Sequence, residues 1–539
     1  MNSFTTLKFP KAWLVCGLVL LVVVGCSQQG KLIDQVYELA GDNKIELEKV
    51  LAHYKDQPQK LKAAEFLIAN MAHGFQYNEI MDSYRSDLQS CPADNIPVNP
   101  IWQNLSEGKP VSAKYVYDAR VITSDYLIDN IEMAFDTWNE SPWQNSIDFH
   151  AFCLYILPYR ITNEPLTNWR KTLRENYLPY IDHVEDPAKA FVIIYNKVLT
   201  DFRKWDMSLY PYTMDPLMLD KIMRGRCEDR SLYLTCVLRS LAIPAAYDYM
   251  PFWSNASPAG HSWVSYIQND STFTLIHKSD KLEYHGMIDA SRFYQTEHNY
   301  NVSDLPFDVD SVKKNSRIFR ACFEIQKDRM EYRKKDEPMP VFFKSLFIKD
   351  VSRQYGLSAE RQFSTDYRGN VYLCAFKTGE GWVPLAVTQT KRKKAIFNHL
   401  DREVVYLLCG YRDENLVPLT LPFYIAEDGI LHEFIPDETK RQDVILRRKY
   451  LMTVHWTDRW CLFLGGKFEG SDAPDFSHKD VLHEISDMPA GIEKIDFSNP
   501  RKYRYIRFIA PENTTPNFAE IAFLGKLSEK GTMPLLPTN

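Results

Sequence analysis

The sequence predicts a multidomain α+β protein with a helical N-terminal region, an α+β core and two C-terminal β-sandwich modules. A chain of 539 residues is too long for one compact core, at about 100–200 residues per domain. Apolar residues recur at helical spacing in the first third, whereas short alternating runs broken by Gly, Asn and Asp begin near residue 320. With 45% hydrophobic and 25% charged residues, the composition is that of a folded globular protein.

The N-terminus shows a basic, then apolar, then small-residue pattern. Lys8 and Lys11 precede an apolar run over 12–24, which ends at Gly25 and Cys26 and is followed by polar residues. This order is typical of a secretory signal peptide, and the run is shorter than the roughly 20 residues of a membrane-spanning helix. The ending resembles a bacterial lipobox, which implies lipidation of Cys26. An uncleaved anchor with an incidental Cys is the alternative. We expect a lipid-anchored protein of the bacterial cell envelope, periplasmic or surface-exposed.

Mostly helical structure is expected up to about residue 150 and beyond. Residues 63–71 and 128–138 carry apolar side chains at three- to four-residue intervals, while 91–110, rich in Pro and Asn, predicts an exposed loop. Helical character continues over 147–156, 168–178 and 187–205.

The second half predicts strands at 371–376, 404–408 and 503–509, and a solvated hairpin tip at Lys391 to Lys394. Together these patterns divide the chain into seven segments. They are a signal peptide (1–25), a helical region (26–149), the α+β core (150–310), a linker (311–345), a first β-sandwich module (346–450), a second β module (451–527) and a tail (528–539).

Charge and cysteine content exclude several function classes. A formal net charge of −6 gives no reason to expect binding to nucleic acid. The cysteines after Cys26 are scattered without CxxC spacing, so a zinc site of the cysteine type is not expected, and we predict neither a metal nor a cofactor.

Two short motifs between residues 217 and 290 carry candidate chemistry. Cys227 stands directly before an amphipathic helix that ends before Pro244, and backbone amides at a helix start favour a thiolate and lower the Cys pKa. Gly225 allows a sharp turn beside it. His261 begins a predicted strand that follows a loop rich in Pro, Ser and Asn, where an imidazole can take the thiol proton and later protonate the leaving group. A structural thiol and a hydrogen-bonded strand histidine are the alternatives.

A base of this kind needs a third group that orients its ring. Asp289 follows two apolar residues, as at the end of a strand. Asp280 and His277 lie nearer to His261 in the sequence and remain alternatives.

The pattern Gly225-x-Cys227-x-Asp229, a helix, then His261-x-Trp263-Val264 and Asp289 resembles the transglutaminase-like superfamily over roughly residues 150–300. The resemblance implies a papain-like α+β core in which Cys227 is the nucleophile, His261 the base and Asp289 the orienting acid. An upstream block containing Arg160, Glu164 and Arg170 is similar to one in envelope lipoproteins of this superfamily. For these three side chains a buried ion-pair network is expected rather than substrate contact.

The C-terminal module is similar to discoidin or galactose-binding-like jelly rolls. The resemblance rests on the alternating Arg and aromatic residues of 503–508 and on the Phe468-Glu469-Gly470-Ser471 segment. It implies ligand binding at loops, with a glycan as candidate ligand and a purely structural use as the alternative.

These observations predict a cofactor-independent cysteine hydrolase of the cell envelope that acts on amide bonds of peptides or glycopeptides. The reaction would pass through an acyl-enzyme on Cys227. The competing hypothesis is a non-catalytic envelope protein that binds a glycan or a protein and uses the transglutaminase-like domain as a scaffold.

Overall fold

The structure is a computed structural model that describes residues 29–92, 96–109, 112–204, 212–254, 260–275, 288–289, 316–332, 338–377, 380–437, 439, 463–487, 494–497, 501–512, 514 and 521. The chain divides into two compact units, one of Met1–His298 with Lys314–Pro436 and one of Asn299–Lys313 with Asp437–Asn539. Helices and several separate sheets are both present, consistent with the predicted multidomain α+β class.

The N-terminal region is helical, as the sequence predicts. Its helices are α1 (29–40), α2 (Lys44–His53), α3 (Pro58–Ala69), α4 (Glu79–Ser90), α5 (Val98–Ser106), α6 (Ser124–Glu140) and α7 (Phe149–Tyr155). A two-stranded antiparallel sheet joins β1 (Gly74–Tyr77) to β2 (Lys114–Tyr117). In α6 the Thr123 hydroxyl caps the first turn by accepting from the Tyr126 amide at 3.2 Å. The apolar positions of that helix, 127, 131, 134, 135 and 138, are buried.

The prediction of an exposed loop at 91–110 is wrong over its second half. Val98–Ser106 forms α5, in which Val98 and Trp102 are buried. The Trp102 ring packs edge-on against Tyr84 of α4, with ring centroids 5.4 Å apart. Proline at the start of a helix costs no backbone hydrogen bond, and burial of the indole stabilises a segment whose local composition favours a turn.

The core around the candidate site combines four further helices with a six-stranded sheet. The helices are α8 (Trp169–Tyr177), α9 (Pro187–Asp201), α10 (Pro216–Ile222) and α11 (Cys227–Ser240). A short parallel pair joins β3 (Arg203–Lys204) and β4 (Arg224–Gly225). The strands of the larger sheet are β5 (Ala245–Met250), β6 (His261–Gln268), β7 (Ser271–Thr274), β8 (Ile288–Asp289), β9 (Phe319–Ala321) and β10 (Ile348–Asp350), in the order β10-β9-β5-β6-β7-β8.

Within the segment predicted as a linker, 311–345, residues Phe319–Ala321 form strand β9 of this sheet. Strand β9 pairs with β5 on one side and with β10 on the other. Two short helices follow it, α12 (Lys327–Glu331) and α13 (Val341–Lys344). Strand β10 is at the edge of this sheet. A fragment that begins at residue 346 would therefore contain β10 without β9, the strand with which it pairs.

Strands follow at the predicted segments 371–376 and, from residue 406, 404–408, but both are buried without alternation. The strands of this region are β11 (Ala359–Ser364), β12 (Asn370–Lys377), β13 (Gly381–Gln389), β14 (Lys394–Leu400), β15 (Tyr406–Arg412), β16 (Asn415–Pro418), β17 (Phe423–Ile425) and β18 (Leu431–Glu433). Strands β11 and β14 pair with each other, and the rest form a second sheet in the order β13-β12-β15-β17-β18 with β16 on β15. Val371 and Phe397, one from each sheet, belong to one hydrophobic core. Lys391 and Lys394 bridge at an exposed hairpin tip, as expected.

In the second unit the described residues include a three-stranded antiparallel sheet. Its strands are β19 (Lys467–Ser471), β20 (Lys479–Glu484) and β21 (Tyr505–Ile509), with β19 in the centre. Phe463, Phe468, Leu482 and Ile485 form its core. The predicted boundary near 450 and the tail 528–539 lie outside the described residues.

The signal-peptide prediction and Cys26 also lie outside the described residues. Across the part of the chain that the structure describes, none of the helices combines the length and the apolar character needed to cross a membrane.

Candidate functional site

Cys227 is the first residue of α11, the position that the sequence predicts. The helix start is organised by Asp229, whose Oδ2 accepts a hydrogen bond from the Arg226 amide at 2.8 Å. Gly225 makes this arrangement possible, because a Cβ there would lie 2.7 Å from the Asp229 Cβ and 2.8 Å from its Oδ2. The Gly-x-Cys-x-Asp spacing therefore builds a capped helix start with Cys227 at its tip.

The electrostatic balance at the thiol differs from the sequence expectation. Burial raises the pKa of Cys227 above its usual value, and the neighbouring Glu228 carboxylate raises it further. The thiol donates to Glu228 Oε2 at 3.4 Å. The hydroxyl and the amide of Ser262 act in the opposite direction without reversing the shift. The position at a helix start alone does not lower the pKa of this thiol, since burial and Glu228 outweigh the favourable groups.

His261 is the first residue of β6 and pairs with Met250 of β5. Its half-buried ring lies near two indoles, with centroids 6.4 Å from the Trp253 ring and 5.7 Å from the Trp263 ring. Strand alternation places His261 and Trp263 on one face of the sheet and Ser262 on the other.

The opposite face of β6 is the one that α11 covers, since Val264 and Tyr266 join the same core as Leu234 and Leu238 of the helix. The Cys227 thiol lies beside Ser262, the residue that follows His261. The structure thus brings the two predicted motifs together at one end of the helix and strand. Across the two elements the thiol is close to Ser262, which the sequence analysis did not single out.

Asp289 does not lie beside His261 in the sheet. It pairs with Phe273 of β7, and Phe273 pairs with Tyr266 of β6. Tyr266 is five residues beyond His261, which at about 3.4 Å per residue is a displacement of roughly 17 Å along the strand. A carboxylate side chain does not span that distance, so this register does not support Asp289 as the group that orients His261. Asp280 and His277 lie outside the described residues.

A buried polar network lies on the His261 face of the sheet. Asp248 accepts two hydrogen bonds from Arg320, at 2.7 and 2.8 Å, and one from the Tyr355 hydroxyl at 2.6 Å. The Trp263 indole donates to the same Tyr355 hydroxyl at 2.8 Å. Asp248, Arg320 and Tyr355 are each almost fully buried. The network holds Trp263, and no local sequence signal could have connected residues so far apart in the chain.

The three side chains of the upstream block are buried, as predicted, but the predicted ion-pair network is found only in part. Arg160 forms a buried two-pronged ion pair with Asp118, at 2.7 and 2.6 Å. The Glu164 carboxylate accepts from the amides of Ile161 and Thr162 and so closes its own turn.

Arg170 bonds a set of backbone carbonyls instead of a carboxylate. It donates to Asn130 Oδ1 at 2.6 Å and to the carbonyls of Ile156, Leu157, Pro158 and Arg239. Arg170 thereby links α8, on which it lies, to α6 and α11.

A polar cleft of about 370 Å³ lies in the second unit. It is lined by Gly470, Ser471, Ser477, His478, Lys479, Asp480, Arg501 and Tyr503. Arg501 bridges Asp472 at 3.0 Å and Asp480 at 2.9 Å, and the Tyr503 hydroxyl donates to Asp480 at 2.8 Å. The cleft therefore presents fixed donors and acceptors beside an aromatic ring.

No protein family and no curated protein sequence matches the chain. Among solved structures, a putative cysteine protease from Cytophaga hutchinsonii aligns at 12% identity over 34% of this chain and 58% of its own, with a TM-score of 0.19. Red sea bream transglutaminase aligns at 11% identity over 52% of this chain and 57% of its own, with a TM-score of 0.20. The chain thus spans a little over half the length of either protein. These alignments are too weak to carry an argument about function.

Proposed function

We propose that the protein is a cofactor-independent, transglutaminase-like cysteine hydrolase that cleaves amide bonds of peptides or glycopeptides. The observation that supports this most directly is the meeting of the α11 start, with Cys227, and the β6 start, with His261, through the contact of the thiol with Ser262. Thiol-dependent acyl transfer requires the nucleophile and the base to be within hydrogen-bond reach of each other. Because strand alternation places the His261 ring on the face of β6 opposite to Ser262, the proposed reaction requires that ring to reach the sulphur around the start of the strand.

In the proposed reaction, the Cys227 sulphur attacks the amide carbonyl carbon while its proton passes to the His261 imidazole. Collapse of the tetrahedral intermediate breaks the C–N bond, and the imidazolium gives the proton to the leaving amine. Water then attacks the thioester carbonyl carbon and loses a proton to His261. The C–S bond breaks, the imidazolium returns the proton to the sulphur, and the carboxylic acid leaves. Because the pKa of Cys227 is raised, the thiol is neutral before the reaction begins. Its proton therefore passes to His261 during the attack and not in an earlier step that forms a thiolate–imidazolium pair.

The decisive experiment is a screen of the full chain against peptides, simple amides and glycopeptides. Turnover of any substrate that is cleaved is then measured with the variants below. Cys227→Ala is expected to abolish turnover, and His261→Ala to cost about as much, because nucleophile and base act as a unit. The double variant should be little worse than either single one.

Cys91→Ser is the matched control for these variants. It removes a partly exposed thiol in the N-terminal region and should leave turnover and the circular dichroism spectrum unchanged. Full activity of Cys227→Ala towards a cleaved substrate would refute the proposal.

The second candidate function is a non-catalytic envelope protein that binds a glycan. Two observations favour it: the raised pKa of Cys227 and the register that separates Asp289 from His261. In this case the polar cleft at Arg501 and Tyr503 is the candidate glycan site. Retention on immobilised glycans that is lost in Arg501→Ala, with no turnover of any amide, would favour binding over catalysis.

We further propose that the protein is anchored to the envelope membrane by lipid on Cys26, facing the periplasm or the exterior. The basic, apolar and small-residue order of the N-terminus supports this. Cys26→Ser should move the protein from the membrane fraction to the soluble fraction. A Cys26→Ser protein that stays membrane-bound after signal processing would contradict the lipid anchor.

A further inference from the structure

Ser262 stands out among the residues around the Cys227 thiol. Its side chain is 2% exposed and lies on the face of β6 that α11 covers. The Ser262 hydroxyl is close to both the Cys227 sulphur and the Tyr247 hydroxyl. Among the described residues, however, no atom completes a hydrogen bond of good geometry with Ser262 Oγ. A buried hydroxyl in this state has lost water without gaining a full partner, which is costly.

The missing partner is explained by the protonation state of the thiol. As a neutral S–H group, Cys227 points its proton at Glu228 Oε2, 3.4 Å away. Sulphur in that state is a weak acceptor. Once the proton leaves, the sulphur becomes an anion and a strong acceptor, and the nearest buried donors are the hydroxyl and the amide of Ser262.

Other titratable and charged groups surround the thiol. Glu228 lies on the same helix, with the Arg226 guanidinium 3.9 Å from its carboxylate, and Asp229 caps the turn. Tyr247 approaches from β5, and His261 precedes Ser262 on β6. Of these groups, the Glu228 carboxylate repels a negative charge on the sulphur. A hydrogen bond donated to the sulphur would offset part of that repulsion.

We infer that Ser262 is a positioning residue whose hydroxyl donates a hydrogen bond to the Cys227 sulphur when the thiol ionises. The inference rests on the proposed role of Cys227 as nucleophile. Ser262 contributes a donor already in place for charge that appears only on deprotonation, so that no reorganisation is needed at that moment.

Titration of the Cys227 thiol tests this without any substrate. For each full-length variant, ultraviolet thiolate absorbance is measured against pH. The absorbance of the same variant carrying Cys227→Ala is then subtracted, which leaves the signal of the Cys227 thiolate. Ser262→Ala should move the Cys227 midpoint upward by roughly one pH unit, the size of one hydrogen bond to a charged group. The alkylation rate of the Cys227 peptide near neutral pH should fall about tenfold with it.

Three further variants make the test specific. Ser262→Thr keeps the hydroxyl, and its Cys227 midpoint should be close to that of the original chain. Ser262→Val has nearly the shape of Ser262→Thr but no hydroxyl, and its midpoint should match that of Ser262→Ala. Ser265→Ala removes a buried hydroxyl from the same strand on its other face, where the hydroxyl donates to Asp248 at 2.9 Å, and should leave the Cys227 midpoint in place. The Thr and Val pair also decides the matter if Ser262→Ala does not fold.

Identical midpoints in Ser262→Thr and Ser262→Val would overturn the inference, as would a Ser265→Ala midpoint displaced as far as that of Ser262→Ala. The proposed function fails separately. If Cys227→Ala abolishes turnover while the Ser262 variants titrate alike, the function stands and the inference falls. If the Ser262 variants shift the midpoint but no amide is ever cleaved, the inference stands and the proposed hydrolase falls.

Discussion

The Asp229 carboxylate occupies the space that a side chain at position 225 would need. A Cβ on Gly225 would lie 2.8 Å from Asp229 Oδ2, and that same oxygen accepts the Arg226 amide at 2.8 Å. Gly225 and Asp229 therefore depend on each other, and together they fix the turn before α11, which begins at Cys227.

Gly225→Ala should accordingly destabilise the protein by about 1–3 kcal/mol, because the added methyl forces the Asp229 cap to move. The free energy of unfolding from urea titration checks this. Gly30→Ala is the control, since a Cβ on Gly30 meets no atom within 4 Å and should change stability little. Equal stability of the two variants would mean that the helix start relaxes without cost.

Glu228→Gln should lower the pKa of Cys227, because the Glu228 charge is one of the two causes that raise it. The predicted result is faster alkylation of Cys227 by iodoacetamide near neutral pH, with the rate–pH profile displaced to lower pH. Glu380→Gln provides the comparison, since Glu380 pairs with Lys377 in a β hairpin. A profile that Glu228→Gln leaves in place would show that burial alone sets the acidity of the thiol.

Asp248→Asn should destabilise the protein by about 3–5 kcal/mol, because it leaves the buried Arg320 guanidinium without its counter-charge. Glu48→Gln breaks the exposed Lys44–Glu48 pair and should cost about 0–1 kcal/mol. Chemical denaturation of both variants measures the difference. Comparable losses would contradict the assignment of Asp248 as the centre of a buried network.

His73 should make the stability of the protein depend on pH. Burial lowers the pKa of His73 to about 3, its Nε2 lies 2.9 Å from the Phe323 carbonyl oxygen, and its ring stacks on Phe347. Below about pH 6.5 the unfolded chain binds a proton at this site that the folded protein does not bind until about pH 3. The His73 contribution to stability is therefore complete above pH 6.5 and declines between pH 6.5 and 3.

For one such group the slope approaches about 1.4 kcal/mol per pH unit. His73→Gln keeps a hydrogen-bond donor without titrating, so its unfolding free energy should fall less steeply with acidification than that of the original chain. His150→Gln alters an exposed histidine and should preserve the original slope. Parallel pH profiles for the original chain and His73→Gln would refute this role.

The local signals in the sequence were sufficient wherever neighbouring residues decide the outcome. The start of α11 at Cys227 follows from a glycine turn and an acidic cap within five residues, and the start of β6 at His261 follows from the Pro/Ser/Asn-rich segment before it. The strands at 371–376 and 503–509 were likewise predicted from patterns over neighbouring residues. Each of these features is set by backbone hydrogen bonds and side-chain spacing over a few positions.

Burial and strand register were beyond the reach of local reasoning. Residues 98–106 form a helix because Trp102 finds a core, and 319–321 join a sheet because β5 offers an open edge. The sequence by itself determined that a thiol stands at a helix start and an imidazole at a strand start. Only the tertiary structure decided that Ser262 borders the thiol and that Asp289 pairs far along the sheet. The physical reason is that desolvation and register depend on segments distant in the chain, which no short motif encodes.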